Sequence, residues 1–408
     1  MSNSILTPTA VTREALRILH QKLNFVGNIN RQYDSKFANS GAKIGDSLTI
    51  RLPNEYTVRT GKTLAAQDTA EQSTQLTVAT QKGVDVNFST AEMTMSLDDF
   101  SSRILDPAMS VLAANIESDA LSMYKQVANE VSDVGAAIEY SDVLMAGKKL
   151  TDSLAPQDQR TLLLSTQNQL DLVTGTAQLY NDRSKVGEQY RKGLIGNDFF
   201  GFDNVYQNTM IPLHVTGTDD GTGDYLTDIA SGENDGSAGL LNIDTGTGSF
   251  NIGDVIMIEG LYAVHPETKV STGKLKQFVV TAAATPGAGG GDLSISPSII
   301  TSGARQNCTG LADGKKILKV ESDETTAIGA SADYYTGLAF HRDAFAFATA
   351  DLILPKGVDF VAREVMDGIS MRIIRDYDIN NDNMPCRIDV LYGYKAIRPQ
   401  LACRLGFN

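Results

Sequence analysis

The chain has 408 residues, 42% of them apolar, and a formal net charge of -14 from 35 basic and 49 acidic side chains. That is apolar material for about two or three domains, and the acidity excludes a protein that grips phosphate backbones, whose affinity rests on basic residues. Three cysteines, Cys308, Cys386 and Cys403, are too few and too dispersed for a disulfide framework or a zinc site.

No secretion or membrane signal is legible at the start. The stretch MSNSILTPTAVTREALRILHQKL carries Arg13, Arg17 and Lys22 among its apolar residues, so a reducing cytoplasm is the expected compartment. Thr7-Pro8 reads as a helix cap followed by an N1 proline. Val11, Ala15, Ile18, Leu19 and Leu23 then form one stripe, which predicts an amphipathic helix. It either packs on its own domain or docks on a neighbouring subunit.

From Gly45 to Phe88 the sequence is Thr-rich and alternating. SLTIRLPNEYTVR and STQLTVATQKGVDVNF predict two arms of a long hairpin joined by TGKTLAAQDTAEQ. The arms offer only Leu48, Ile50 and Leu52 on one side, and Leu76, Val78, Val84, Val86 and Phe88 on the other. A ribbon burying so little is marginal alone, so it is expected to lean on its own domain or on a second copy.

Ser96 with Asp99 resembles a capping box, and Asp106-Pro107 restarts the helix with a fresh cap. Met109, Leu112, Ala113, Ile116, Ala120, Met123, Tyr124 and Val127 continue the stripe. A helix from Pro107 to Glu130 would run about 36 Å. Residues 135–215 read as α/β: RTLLLSTQNQLDLVTG is a buried strand and then a helix, and GFDNVYQNTMIPL is a strand. Gly217–Phe250 holds seven acidic residues, eight glycines and no basic residue, a composition that predicts loop with little core. NIGDVIMIEGLYAVHPE, KLKQFVVTAAA and DLSISPSII then predict the short strands of an inserted all-β module. DYYTGLAFHRDAFAFATADLILP is buried in character. GISMRIIRDYDI and CRIDVLYGYKAIRPQLACRL close the chain, the latter as strand, turn and strand, with Ile388, Val390, Tyr392 and Tyr394 on one face.

Catalytic signatures fail one by one. Gly61-Lys62-Thr63 lacks the earlier glycine of a phosphate loop, because Tyr56 stands there. His20, His214, His265 and His341 are isolated, as surface or internally satisfied residues. DYDINNDN opens like a calcium loop, but Asn381 replaces the required glycine and Arg387 the closing glutamate. A looser cation site at Asp376, Asp378 and Asn380, or in the acidic 217–250 stretch, competes with a solvated turn. Lys148-Lys149 and Lys315-Lys316 with Lys319 lack interleaved aromatics for base stacking and are expected on solvated faces.

The order of elements resembles the major capsid proteins of tailed bacteriophages with the Hong Kong-97-type fold. GFDNVYQNTMIP, LAFHRDAFAFATADL and RIDVLYGYKAIRPQLACRL carry the likeness. FNIGDVIMIEG is similar to the start of the insertion domain in short-tailed Salmonella-phage gene-5-type coat proteins.

The resemblance implies an α+β fold divided as follows: 1–44 an N-terminal arm, 45–92 an extended loop, 93–134 a peripheral domain with a spine helix, and 135–215 an axial domain. It further implies 216–325 as the β insertion, 326–345 as the axial return and 346–408 as the peripheral β return. The terminal strands would build a long sheet beside the spine helix.

It implies a shell of hexamers and pentamers, assembled in the host cytoplasm with scaffolding and portal proteins around double-stranded DNA. No sequence-specific DNA binding, membrane, cofactor, metal or catalytic residue is implied. Arg51, Arg59, Lys62, Asp68 and Glu71 are candidate intersubunit contacts. The alternatives are the shell of a bacterial nanocompartment with the same fold, or a non-catalytic adhesive β protein.

Overall fold

The computed structural model describes residues 8–32, 45–64, 66–69, 71–88, 101–176, 201–218, 225–229, 233–287, 289–319, 333–358, 360–366, 368–379 and 384–407. It is an α+β chain in two units, each built from separated stretches. One comprises Met1–Arg51, Ser73–Leu121 and Phe345–Ile397; the other comprises Leu52–Gln72, Ser122–Ala344 and Arg398–Asn408.

In the first unit the strand Met384–Ala396 lies centrally, antiparallel to Phe345–Ala350, to Ile369–Arg375 and to Thr80–Phe88. The expected inward face is buried at Ile388, Val390 and Tyr392. The opposite positions Asp389 and Leu391 are buried as well, because a strand bonded to three neighbours has little open side. The buried Asp389 carboxylate is neutralised by Arg372 at 2.7 Å and Arg387 at 2.9 Å. Gly393 has no room for a side chain, since a Cβ there would lie 2.1 Å from the Thr77 carbonyl oxygen.

The strand-turn-strand expected at Cys386–Leu405 is not a hairpin. After a 3-10 turn at Pro399–Leu401, the strand Ala402–Phe407 joins the sheet of the second unit. All six of its residues are buried, which a partner on only one side would not achieve. The peripheral return expected to run to residue 408 therefore leaves the first unit after Ile397.

The spine helix is shorter than expected. It runs Asp106–Leu121 as α-helix, preceded by a π turn at Ser101–Leu105 and followed by a 3-10 turn at Ser122–Gln126. Glu130–Ser132 is a strand instead of a last helical turn, because these three residues pair with Ala402–Phe407. The capping box expected at Ser96 and Asp99 lies outside the described residues. Met109, Leu112, Ala113, Ile116 and Ala120 are buried as the stripe predicts. The N-terminal helix Pro8–Lys22 packs on this helix and on the strand Phe360–Met366, so the first of its two readings describes the subunit.

Glu117 joins the spine helix to the short helix Phe25–Asn28, its carboxylate accepting from the Phe25 N–H at 2.7 Å and the Val26 N–H at 3.3 Å. Burial pushes this carboxyl up to about 7, against the pull of the backbone donors. A group that binds its proton more tightly when folded stabilises the fold fully below the unfolded value near 4.5. That contribution is lost as pH rises through about 7. Relative to Glu117→Gln, the unaltered subunit is expected to lose on the order of 3 kcal/mol across that window. Urea titrations of both proteins at the two ends would check it, and parallel pH profiles would refute it.

The long hairpin also differs from expectation. Asp46–Leu52 pairs with Gln72–Val78, but the returning arm breaks at Ala79 and Thr80–Phe88 pairs with Met384–Ala396. Leu76 and Val78 are fully buried with Ala346, Ala348, Ala350 and Leu391, and Leu48 and Ile50 pack on this cluster. The base of the hairpin therefore leans on its own unit.

The second unit holds two sheets. In one, Arg160–Leu164 lies parallel to Asn204–Gln207 across the helix Thr166–Thr176, the strand-then-helix pattern read from RTLLLSTQNQLDLVTG. Asp333–His341 and Ala402–Phe407 continue that sheet to Glu130–Ser132. The other is the inserted β module, whose main strands are Val255–Val264, Ser271–Val280 and Gly291–Ser296.

Gly217–Phe250 contributes more core than its composition predicts. Leu240–Asp244 pairs with Gly291–Ser296, and Tyr225, Leu241, Ile243 and Phe250 are fully buried in the module. Period-two alternation within LLNID sends Leu241 and Ile243 inward, and Gly236 and Gly239, both at positive φ, make the preceding turn. Residues 219–224 and 230–232 of that stretch lie outside the described residues.

Candidate functional site

Between the paired strands, every described residue of 53–71 is exposed. Side chains replace the missing ladder. The Gln67 carboxamide accepts from the Thr57 N–H at 2.9 Å and donates to the Thr57 carbonyl at 2.5 Å, imitating a backbone partner. At the tip the Arg59 guanidinium donates to the carbonyls of Gly61 and Thr63. Arg59, a candidate intersubunit contact, is exposed and also braces its own loop. Lys62 and Asp68 are exposed on the loop, with Arg51 and Glu71 exposed at its two roots.

Reading for charge overlooked the apolar residues of the same loop. Tyr56, Val58 and Leu64 are 54%, 94% and 82% exposed, the kind of surface that gains most from being covered. Their signal was the period-two spacing of Tyr56 and Val58 in a segment with no core to bury.

The second unit also contains a buried polar network. Glu130 pairs with Arg404, both virtually inaccessible, and accepts the Tyr334 hydroxyl at 2.8 Å. Arg404 also donates to the Gly253 carbonyl at 2.7 Å and lies 5.7 Å from the Tyr124 ring centre. Burial, and then the Glu130 charge, hold the Tyr334 phenol well above its ordinary range. The backbone of Glu130 is bound by Gln277 and by Lys149, whose ammonium donates to the Glu130 carbonyl at 2.8 Å.

Next to this pair, the Tyr124 hydroxyl contacts His214 Nδ1 at 3.1 Å and Asp254 contacts His214 Nε2 at 3.0 Å. A carboxylate–imidazole–hydroxyl chain has the outline of a general-base relay. Here His214 and Asp254 are only 2% and 1% exposed, and the second Asp254 oxygen accepts the N–H groups of Gly217 and Asn251, each at 2.9 Å. The arrangement is suited to pinning three chain segments together.

Lys319 contributes to the same fastening. It was expected on a solvated face, but it is 1% exposed, donates to the Gly217 carbonyl at 2.8 Å and lies 6.0 Å from the Phe250 ring centre. Lys149, half of another basic pair, is likewise engaged inward. Among the described residues no three His, Cys, Asp or Glu side chains converge as metal ligands. Asn380 and Asn381 of the candidate cation turn lie outside the described residues. No described helix is long and apolar enough to cross a membrane.

Against protein families, the model described as "P22 coat protein - gene protein 5" matches residues 9–405. The chain belongs to the P22 coat protein family. No curated protein matches it. Among solved structures it is similar to one from Mycobacterium phage Che8, at 13% identity and a TM-score of 0.44, over 94% of this chain and 90% of that one. The capsid of cyanophage P-SCSP1u is similar at 10% identity and a TM-score of 0.44, over 93% and 89%. A virus-like particle from Pyrococcus furiosus is similar at 8% identity and a TM-score of 0.39, over 97% of both chains.

As a P22-family coat protein, the chain is a major capsid protein, a component of the virion whose many copies form a bacteriophage shell. Its helices and several sheets make the α+β architecture that the resemblance implied. Two features of this P22-family subunit stand out for that work: a core fastened by internal charges, and a loop that exposes apolar and charged side chains together.

Proposed function

We propose that this subunit encloses double-stranded DNA in a closed shell of hexamers and pentamers, assembled in the host cytoplasm with scaffolding and portal proteins, and that it works by geometry without catalysis. Residues 53–71 overlap an adjacent copy, with Arg51, Arg59, Lys62, Asp68 and Glu71 pairing across the boundary and Tyr56, Val58 and Leu64 covered by it. The exposure of those three apolar residues carries this reading. The sealing of His214 supports a structural role for the one relay-like cluster. The acidic balance supports a container for DNA, because a densely basic lumen would bind the packaged polymer.

Particles purified from infected cells are expected to protect double-stranded DNA from added nuclease. Particles of this protein that carry a protein cargo and no DNA would favour the nanocompartment reading and overturn this one. Replacing Val58 and Leu64 together by Asp is expected to leave the circular dichroism of the subunit unchanged. It should cut the yield of sedimenting shells by at least about tenfold, since a modest loss at each contact is repeated at every copy. An undiminished yield would remove the loop's apolar residues from the interface.

A further inference from the structure

The insertion module presents a polar edge to the extended loop of its own chain. Lys269 lies in the turn between Val255–Val264 and Ser271–Val280, and its ammonium is 3.6 Å from the Glu55 carboxylate. On the returning arm of the loop, the Gln72 carboxamide lies against the Arg305 guanidinium, and the amide turned with its oxygen towards that cation accepts from it. The two module residues belong to one edge, because Lys269 Nζ also donates to the carbonyl of Gln306, next in sequence to Arg305, at 3.3 Å. One root of the loop therefore meets Lys269 and the other meets Arg305.

The receiving side is built in advance. His265 Nδ1 accepts the N–H groups of Glu267 and Thr268, each at 3.2 Å, and Lys269 N–H returns to the His265 carbonyl at 2.9 Å. This turn holds Lys269 at a φ of 58°, a left-handed conformation uncommon for a side-chain-bearing residue. The Lys269 side chain is 15% exposed against 55% for Glu55. A largely buried cation in a hydrogen-bonded turn meets a more exposed carboxylate, and preordering one partner lowers the cost of contact.

We propose that this edge of the insertion module is a docking surface for the extended loop, holding it in a defined pose in the unassembled subunit through Glu55–Lys269 and Gln72–Arg305. The inserted module then acts on assembly from within the chain, by presenting the loop before any neighbour arrives. The contact to Lys269 is made by Glu55, which is not among the five candidate intersubunit contacts.

The test uses dilute, unassembled full-length subunit and a water-soluble carbodiimide. The reagent activates the Glu55 carboxyl as an O-acylisourea. The Lys269 amine attacks its carbonyl carbon, the urea departs, and an amide remains with net loss of one water. Peptide mapping is expected to show Glu55 joined to Lys269 within single chains. The link should vanish in Glu55→Gln and in Lys269→Arg, which keeps the charge but cannot form the product.

As a second readout, Lys269→Glu should speed tryptic cleavage after Arg59 and Lys62 by up to about fivefold, the range set by one exposed ion pair. Combining it with Glu55→Lys should restore the slow rate. An absent Glu55–Lys269 link with an unchanged cleavage rate, or a link found only between chains, would overturn the proposal. Because neither readout needs a shell, failure here is distinct from failure of the capsid reading.

Discussion

A subunit lacking residues 60–72 is expected to fold and to form few or no closed shells. The fold tolerates the deletion because every described residue of 53–71 is exposed and the hairpin's buried side chains lie outside it. Leu48, Ile50, Leu76 and Val78 all remain, so the cluster with Ala346, Ala348 and Leu391 keeps its material. Shortening a surface loop changes its closure entropy by only about 0.6 kcal/mol per halving of length. Assembly has no such tolerance. Each copy loses Leu64, Lys62, Asp68 and Glu71 at once, and a closed lattice multiplies a small loss per contact across all its copies. Circular dichroism with sedimentation velocity would check both halves; normal particles from the deletion would show that the loop is dispensable.

Arg404→Met is expected to be the most damaging single substitution in the second unit, costing about 3–5 kcal/mol of stability. It leaves the Glu130 carboxylate, 1% exposed, with the Tyr334 hydroxyl but without its cation. It also removes the donor to the Gly253 carbonyl and the packing over the Tyr124 ring. Pairing it with Glu130→Leu should recover much of the loss, because the buried charge disappears along with its partner. Urea unfolding of the three proteins would measure this. A single substitution as mild as the double one would show that the fold does not depend on the Arg404–Glu130 pair.

Local pattern made the elements legible, and long-range pairing decided where they went. RTLLLSTQNQLDLVTG displays its strand and helix through a run of leucines followed by helical spacing, and both form as read. VIMIEGLYAV and KLKQFVV display strands in the same way. The stop at Leu121 is hidden because Met123, Tyr124 and Val127 keep helical spacing, while the chain goes through a 3-10 turn to Glu130–Ser132, whose strand partner lies some 270 residues later. The break in the hairpin at Ala79 was hidden for the same reason, since Thr80–Phe88 alternates equally well with either partner.

The buried network was the least legible part. Tyr124 and Glu130 lie close in sequence, but His214, Asp254, Tyr334 and Arg404 are far from them and from one another, with no common spacing. One signal was available: Arg404 interrupts the otherwise apolar strand ACRLGF, and a charge on a strand buried on both faces demands a counter-charge. Lys319 in ILK carried the same signal. The core of the 217–250 stretch is invisible to composition, which averages over positions, while burial follows the alternation of Leu241 and Ile243. Arg51, Arg59, Lys62, Asp68 and Glu71 are charged, and the structure shows Tyr56, Val58 and Leu64 exposed on the same loop, which charge alone does not reveal.

Electron microscopy of the concentrated, purified protein tests the central claim most directly. Closed hollow shells of uniform diameter, built from this chain, are the predicted result. Isolated subunits alone, at every concentration and in every buffer, with scaffolding protein added or not, would contradict it.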